Sequence, residues 1–196
     1  MAADRLAEVL DATYACLTRY GVRRTTVDDI AASMGVSRSA VYQYVRSKDD
    51  AVRRLAERLH TRALTRAETA AATESPAAQR IRGVLAAKLE LVLQLKGDSP
   101  HGTELLDHKA RLFGDICTAF TTDLRGLLVG LFTTAGTVEQ VSPAAAADIC
   151  IAMVIGLESA PQARRLFDPA VTALLSGLLA TPGVAGQISI STSVSG

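Results

Sequence analysis

Eight residues between positions 26 and 48 have the types and spacing to do chemistry on a double-stranded polyanion. Arg38 can take guanine O6 and N7 in a bidentate fork, Gln43 can pair with adenine, and Ser39 is short enough to serve either base. Thr26, Ser37, Tyr42, Tyr44 and Lys48 carry hydroxyls and an ammonium suited to phosphate oxygens, contacts that fix register without reading sequence. Base readout is therefore expected at Arg38, Ser39 and Gln43, and phosphate contact at the other five.

Such residues work only if short helices hold them at the surface. Val27, Ile30, Ala31 and Met34 recur at i, i+3, i+4 and i+7, which predicts a helix over 27–34. Thr26 and Asp29 form a capping box ahead of it. Gly35 follows, where the chain must take positive φ to turn. Ser37 caps a second helix over 38–45, with Val41 and Val45 facing inward. Ser47 and Asp50 repeat the capping box before a third. Residues 26–46 thus predict a helix-turn-helix, a unit whose second helix enters the DNA major groove. Backbone N–H groups at the starts of the helix over 27–34 and of the helix after Ser47 add affinity for anions.

Composition agrees with helices. Of 196 residues, 48% are apolar and 21% charged, and there is no Trp, an ordinary globular balance rich in helix formers. The net charge of +1 looks poor for a DNA binder, but it hides an asymmetry. Residues 1–66 carry a net of +4 and residues 67–196 a net of −3, a basic head on an acidic body. Cys16, Cys117 and Cys150 lie far apart in apolar helical patterns, without metal-ligand spacing, and read as reduced buried thiols. Asp4, Arg5 and Glu8 interrupt any leader-like N-terminus. Ala144–Leu157, the most apolar stretch, is too short for a bilayer and contains Asp148. A cytoplasmic chain with no membrane partner is expected.

The remaining elements follow from periodicity. A first helix over 4–20 carries Leu6, Val9, Leu10, Thr13, Leu17 and Tyr20 on one stripe and ends at Gly21. A long helix over 48–72 has Arg53, Arg54, Arg58, Arg62 and Arg66 on its wet side, with His60 on its surface. Helices follow at 77–95, at 103–135 with a break near Gly114, at 143–157 with Pro143 in the first turn, and at 169–180, where Asp168 caps and Pro169 begins. The polar tail 183–196 is expected to be disordered.

With these elements placed, GVSRSAVYQYVRSKDDAV resembles the signature of the tetracycline-repressor (TetR) family of bacterial transcription regulators. The matching positions are Thr26, Ile30, Ala31, Gly35, Val36, Ser37, Val41, Tyr42, Lys48 and Asp49. Tyr44 and Val45 stand where the family often has His and Phe, which leaves less volume at the hinge between the third and fourth helices. The resemblance covers the first third of the chain.

It implies an all-α protein of about nine helices. Residues 1–47 would be a three-helix DNA-binding domain and 48–182 a helical effector-binding and dimerisation domain. It also implies a homodimer on a palindromic DNA operator, released by a small molecule. The last two helices, which in the family pair across a two-fold axis, are more apolar than one helix face needs. Ile149, Met153, Gly156, Leu157, Val171, Leu174, Leu175 and Leu178 are the expected interface. Leu85, Leu89, Val92, Leu106, Phe113, Cys117, Phe120 and Leu124 are the expected walls of an effector pocket, so the effector should be mainly apolar.

The alternative is an architectural or partner-regulated DNA binder of the same fold with no effector. No Ser-His-Asp set, P-loop, GxGxxG or paired catalytic carboxylates can be recognised, so no enzyme is expected. His101, Glu104 and His108 fall at i, i+3 and i+7. The two histidines would sit about 10 Å apart along a helix axis, too far to share one ion easily. Neither a metal nor a cofactor is expected.

Overall fold

The computed structural model describes residues 2–96, 101 and 109–180. Among them run eight helices: α1 (Ala2–Arg24), α2 (Val27–Met34), α3 (Arg38–Tyr42), α4 (Lys48–Ala72), α5 (Ala77–Lys96), α6 (Lys109–Ala135), α7 (Pro143–Glu158) and α8 (Ala163–Leu178). The all-α expectation holds. A short helix ahead of Gly114 would fall mostly on 102–108, outside the described residues, as does the tail 183–196.

The helices gather around two cores. Val9, Ala12, Cys16, Val27, Ile30, Ala31, Val41, Val45 and Ala51 form the core of the head. Leu10, Leu17 and Val22 point the other way, into a larger core with Val52, Leu55, Leu59 and the apolar rows of α5 to α8. The single stripe expected on α1 is therefore two faces, one in each core. Adjacent residues Ala51 and Val52 divide α4 in the same way, so α1 and α4 join head to body. Gly21 breaks α1 rather than ending it. Its φ of 80° and ψ of 165° interrupt the helix, and one more turn follows, closed by Thr25 N–H donating to Gly21 O at 3.1 Å.

In the body α4 packs on α5 and α6, and α7 packs on α5, α6 and α8. The approach of α5 to α4 requires Gly83, where a Cβ would lie 2.6 Å from the Cβ of Ala70. The break expected near Gly114 falls at Phe113, with φ of −153°. The segment Leu112–Ala135 is long and apolar enough to cross a membrane by length and composition. Here it buries Phe120, Leu124, Leu128 and Phe132 in the body core. Ser142 caps α7 by accepting from Ala145 N–H at 3.1 Å.

The last helix departs from expectation. It begins at Ala163, with Pro169 inside it and Asp168 not at its cap. Burial of Ala163 and Phe167 adds a turn and a half ahead of the proline, and packing outweighs the hydrogen bond the ring removes. Asp168 instead accepts from Arg82 Nε on α5 at 2.8 Å. The end of α8 is pinned to the loop after α6 by Val138 N–H donating to Leu178 O and Ala180 N–H to Gly136 O.

The wet side of α4 is not simply wet. Arg58 donates to Asp11 on α1 at 2.6 Å. Arg53 forks onto Asp115 on α6, Nη1 to Oδ1 at 2.8 Å and Nη2 to Oδ2 at 2.6 Å. That fork holds the Asp115 carboxyl down at about 2. A carboxyl depressed by folding stabilises fully above its unfolded range near about 4 and loses that contribution as pH falls through its folded value. The wild type should therefore lose stability between about pH 4 and pH 2 more steeply than Asp115→Asn, by acid titration under circular dichroism. The difference should be small, because the pair is exposed.

Candidate nucleic-acid interface

The helix-turn-helix is built by its caps. Thr26 Oγ1 accepts from Asp29 N–H at 3.2 Å while Asp29 Oδ2 accepts from Thr26 N–H at 2.8 Å, a closed capping box. Asp29 also accepts from the Thr26 hydroxyl at 2.7 Å, and these bonds hold its carboxyl below the ordinary range. Gly35 takes φ of 65° and ψ of 30° and ends α2, with Val36 N–H returning to Ala31 O at 3.0 Å. Ser37 then caps α3 by accepting from Ala40 N–H at 3.3 Å. The second capping box is only half formed. Ser47 Oγ accepts from Asp50 N–H at 3.0 Å, but the Asp50 carboxylate turns to Arg46 N–H at 2.8 Å and to Arg54.

The recognition helix is shorter than the expected 38–45. After Tyr42 the bonds tighten to i+3, with Tyr44 N–H on Val41 O at 2.9 Å, and the chain turns through Val45 into the Ser47 cap. The inward positions are as expected, with Val41 at 0% and Val45 at 1% exposure. Arg38, Ser39, Tyr42 and Gln43 are exposed on the opposite side, and Tyr44 is half-buried against the head core.

Several of these groups already have protein partners. Arg38 Nη1 donates to Asp28 Oδ2 at 3.1 Å, and Nη2 donates to the Tyr42 hydroxyl at 3.0 Å. Its guanidinium carbon stands 5.4 Å from the Tyr42 ring centre. Arg38 is thus clamped in one direction before any base is met, and Tyr42 supports it. Lys48 Nζ donates to Val22 O at 3.0 Å, tying the start of α4 to the end of α1. Asp28 was not singled out from sequence, because its contact with Arg38 spans ten positions and two helices.

Below the head, α4 to α7 and the residue after α7 line a cavity of about 300 Å³. Of the residues expected at an effector pocket, Val92, Phe113, Cys117 and Phe120 line this cavity. Leu85, Leu89 and Leu124 do not; at 1%, 2% and 1% exposure they are packed among the core helices. Leu106 lies outside the described residues, as do Glu104 and His108. Nor are the walls only apolar. Lys88, Lys96, Glu158 and His60 line the same space. Lys88 Nζ lies 2.8 Å from Glu158 Oε1 at an angle unsuited to a hydrogen bond, so charge holds the pair. Lys96 donates to the Glu158 carbonyl.

His60 corrects the expectation of a surface residue. It is 6% exposed, with Nδ1 2.8 Å from Ala56 O and Nε2 3.3 Å from Cys117 Sγ. Its ring meets Phe113 and Phe120 edge-on, with centres 6.3 and 5.3 Å away.

On α7 and α8, the expected interface residues divide. Val171, Leu175 and Leu178 are buried in the core of their own chain, because α8 must seal the body first. Ile149 and Gly156 are exposed, and Met153, Leu157 and Leu174 are half-buried. Ile149, Met153 and Gly156 fall at i, i+4 and i+7 on α7. Leu166, Ala170, Leu174 and Gly177 continue an apolar row on α8. A Cβ at Gly156 or Gly177 would meet nothing within 4 Å.

A capped helix-turn-helix that presents Arg38, Ser39 and Gln43, fused to an all-helical body, has the architecture of a bacterial DNA-binding regulator. Residues 9–55 match the family described as "Bacterial regulatory proteins, tetR family". The head is that of the TetR family, and the described helices have the fold of its members. The chain is 31% identical over 121 residues to the HTH-type transcriptional regulator TtgR of Pseudomonas putida. That alignment covers 59% of this chain and 55% of TtgR, so the match spans about half the length of the relative. SmeT, the repressor of the Stenotrophomonas maltophilia multidrug efflux pump SmeDEF, superposes with a TM-score of 0.68 at 21% identity, over 93% of this chain and 96% of SmeT. KstR2, a ketosteroid transcriptional regulator of Mycobacterium tuberculosis, does so at 0.64 and 17%, over 90% and 96%.

Proposed function

We propose that this chain is a transcriptional repressor that binds a palindromic operator as a homodimer and is released by a small molecule held in the body cavity. The observation that carries the reading is α4. It begins in the head, where Lys48 is bonded to Val22 O, and further along it sends His60 into the cavity wall. A ligand pressing on that wall acts on the helix that carries the head. SmeT is also known as a complex with triclosan, which supports a small-molecule effector for a body of this fold. Working on chromosomal DNA, the protein would be cytoplasmic.

In this reading Arg38, Ser39 and Gln43 read bases, while Thr26, Ser37, Tyr42, Tyr44 and Lys48 hold phosphates. The Thr26 and Ser37 hydroxyls already serve as caps, so their phosphate contact would be shared with that duty. The α7 and α8 rows are apolar, partly exposed and without a side chain at the two glycines, which suits the close approach of an isologous two-fold interface. The domain boundary falls in the first turn of α4, between Ala51 in one core and Val52 in the other. The mixed cavity lining favours an amphipathic effector over a purely apolar one.

Arg38→Ala tests base readout. It should weaken binding to the selected operator by roughly 1–3 kcal/mol and relax preference at one position, while random DNA is bound nearly as before. Fluorescence anisotropy on the two duplexes measures this. Equal loss on both would mean that Arg38 reads no base.

A further inference from the structure

Of the three cysteines, Cys16 and Cys150 are at 3% and 0% exposure. Burial pushes both thiols upward, Cys150 to about 12, which keeps them protonated and inert. Cys117 differs in each respect that matters to reactivity. It is half-buried, it lines the cavity, and its sulfur lies 3.3 Å from His60 Nε2.

The tautomer of the histidine is set by its backbone partner. Ala56 O, 2.8 Å from Nδ1, can only accept, so Nδ1 carries the hydrogen. In the neutral imidazole Nε2 is then the acceptor and faces the Cys117 S–H. Phe113 and Phe120 hold the ring edge-on from two sides, so the nitrogen does not swing away. A thiol beside a base that is itself oriented by a third group is the arrangement of an activated nucleophile.

We propose that Cys117 and His60 form a covalent capture site for small soft electrophiles of the α,β-unsaturated carbonyl class. The sulfur attacks the β-carbon and a C–S bond forms. The electrons of the C=C bond move to the carbonyl as an enolate, His60 Nε2 accepts the thiol proton, and that proton returns to the α-carbon. The net step is addition of S–H across C=C, with no oxidant and no leaving group. Lys88, Lys96 and Glu158 line the same cavity; Glu158 offsets the Lys88 charge, and the remaining Lys96 charge favours negative charge on the carbonyl oxygen as it develops. Leu91, Val92 and Phe120 supply apolar walls for the carbon skeleton.

The site deepens the effector reading, because it names the chemical class of the effector. An adduct on Cys117 grows against His60, a residue of α4. The thiol chemistry itself stands or falls without DNA.

The test treats the full chain with 2-cyclohexen-1-one and follows it by intact-mass spectrometry and peptide mapping. One adduct is expected, on Cys117, formed faster than on glutathione at the same pH. Cys117→Ser should abolish it. His60→Gln should slow it by about tenfold, since an unassisted thiol is only a few per cent thiolate near neutrality and its ionisation is what the imidazole assists. Circular dichroism checks the fold of both variants. Adduction of Cys16 or Cys150 at a similar rate, or a Cys117 rate no greater than that of glutathione, would overturn the proposal, and this wild-type comparison needs no variant to fold. A Cys117 adduct that leaves operator affinity unchanged would support the thiol site and refute the effector reading.

Discussion

In the proposed homodimer, Ile149→Asp is expected to separate the two chains and to lower operator affinity by a factor of about 10²–10⁴. A single head engages one half-site. A dimer makes the second engagement intramolecular, and that gain in effective concentration is what the variant forfeits. The proposed two-fold interface would bring the introduced carboxylates of both chains into one apolar surface. Ile149 is 41% exposed in its own chain, so the monomer should keep its helix content, with a melting temperature lowered only by the lost association. Light scattering gives the oligomeric state and anisotropy the affinity. A variant that stays dimeric would move the interface away from α7.

The second large effect is on stability. Lys88→Met should cost about 3–5 kcal/mol, because it removes one partner of a buried ion pair and leaves the other charge behind. The side chains of Lys88 and Glu158 are only 9% and 13% exposed, and the Glu158 oxygen nearest Lys88 has no hydrogen bond to fall back on. At about 2–4 °C per kcal/mol for a chain of this size, the loss is easily seen in a thermal melt. The double variant Lys88→Met with Glu158→Leu should recover most of it, since it removes the orphaned charge. If the double variant is as unstable as the single, the loss is one of packing and not of charge.

What was legible in the sequence was local. The Thr26–Asp29 capping box, Gly35 in the left-handed region, the Ser37 cap and the ends of α4 each depend on residues within a few positions of one another. Cap chemistry therefore signals them directly. What was not legible depends on facing. His60 reads as a surface residue from its own helix, because nothing nearby announces that Phe113, Cys117 and Phe120 close over it. Leu85, Leu89 and Leu124 were expected at the cavity, but an apolar row cannot say whether it faces a void or a neighbouring helix. Val171, Leu175 and Leu178 failed for a related reason: a helix rich in leucine on several faces does not reveal which one its own chain will cover. Pro169 reads as a helix start because its local rule is strong, and burial of Phe167 overrides it.

The head and body are also linked by more than sequence pattern could show. Arg53 and Arg58 read as a solvated face of α4, yet they reach Asp115 on α6 and Asp11 on α1. Together with Lys48 on Val22 O, these contacts tie α4 to α1 and α6, as the proposed ligand response through α4 requires. Arg38, held by Asp28 and Tyr42, shows the same lesson at the surface, where a residue chosen for its fork geometry turns out to have that fork oriented in advance.

The most direct test of the account is a selection of the purified full chain against random double-stranded DNA. The account predicts enrichment of one inverted repeat, bound by two chains per site, with affinity that falls steeply as salt rises. Recovery of no common sequence, or equal affinity for selected and random duplexes, would contradict it.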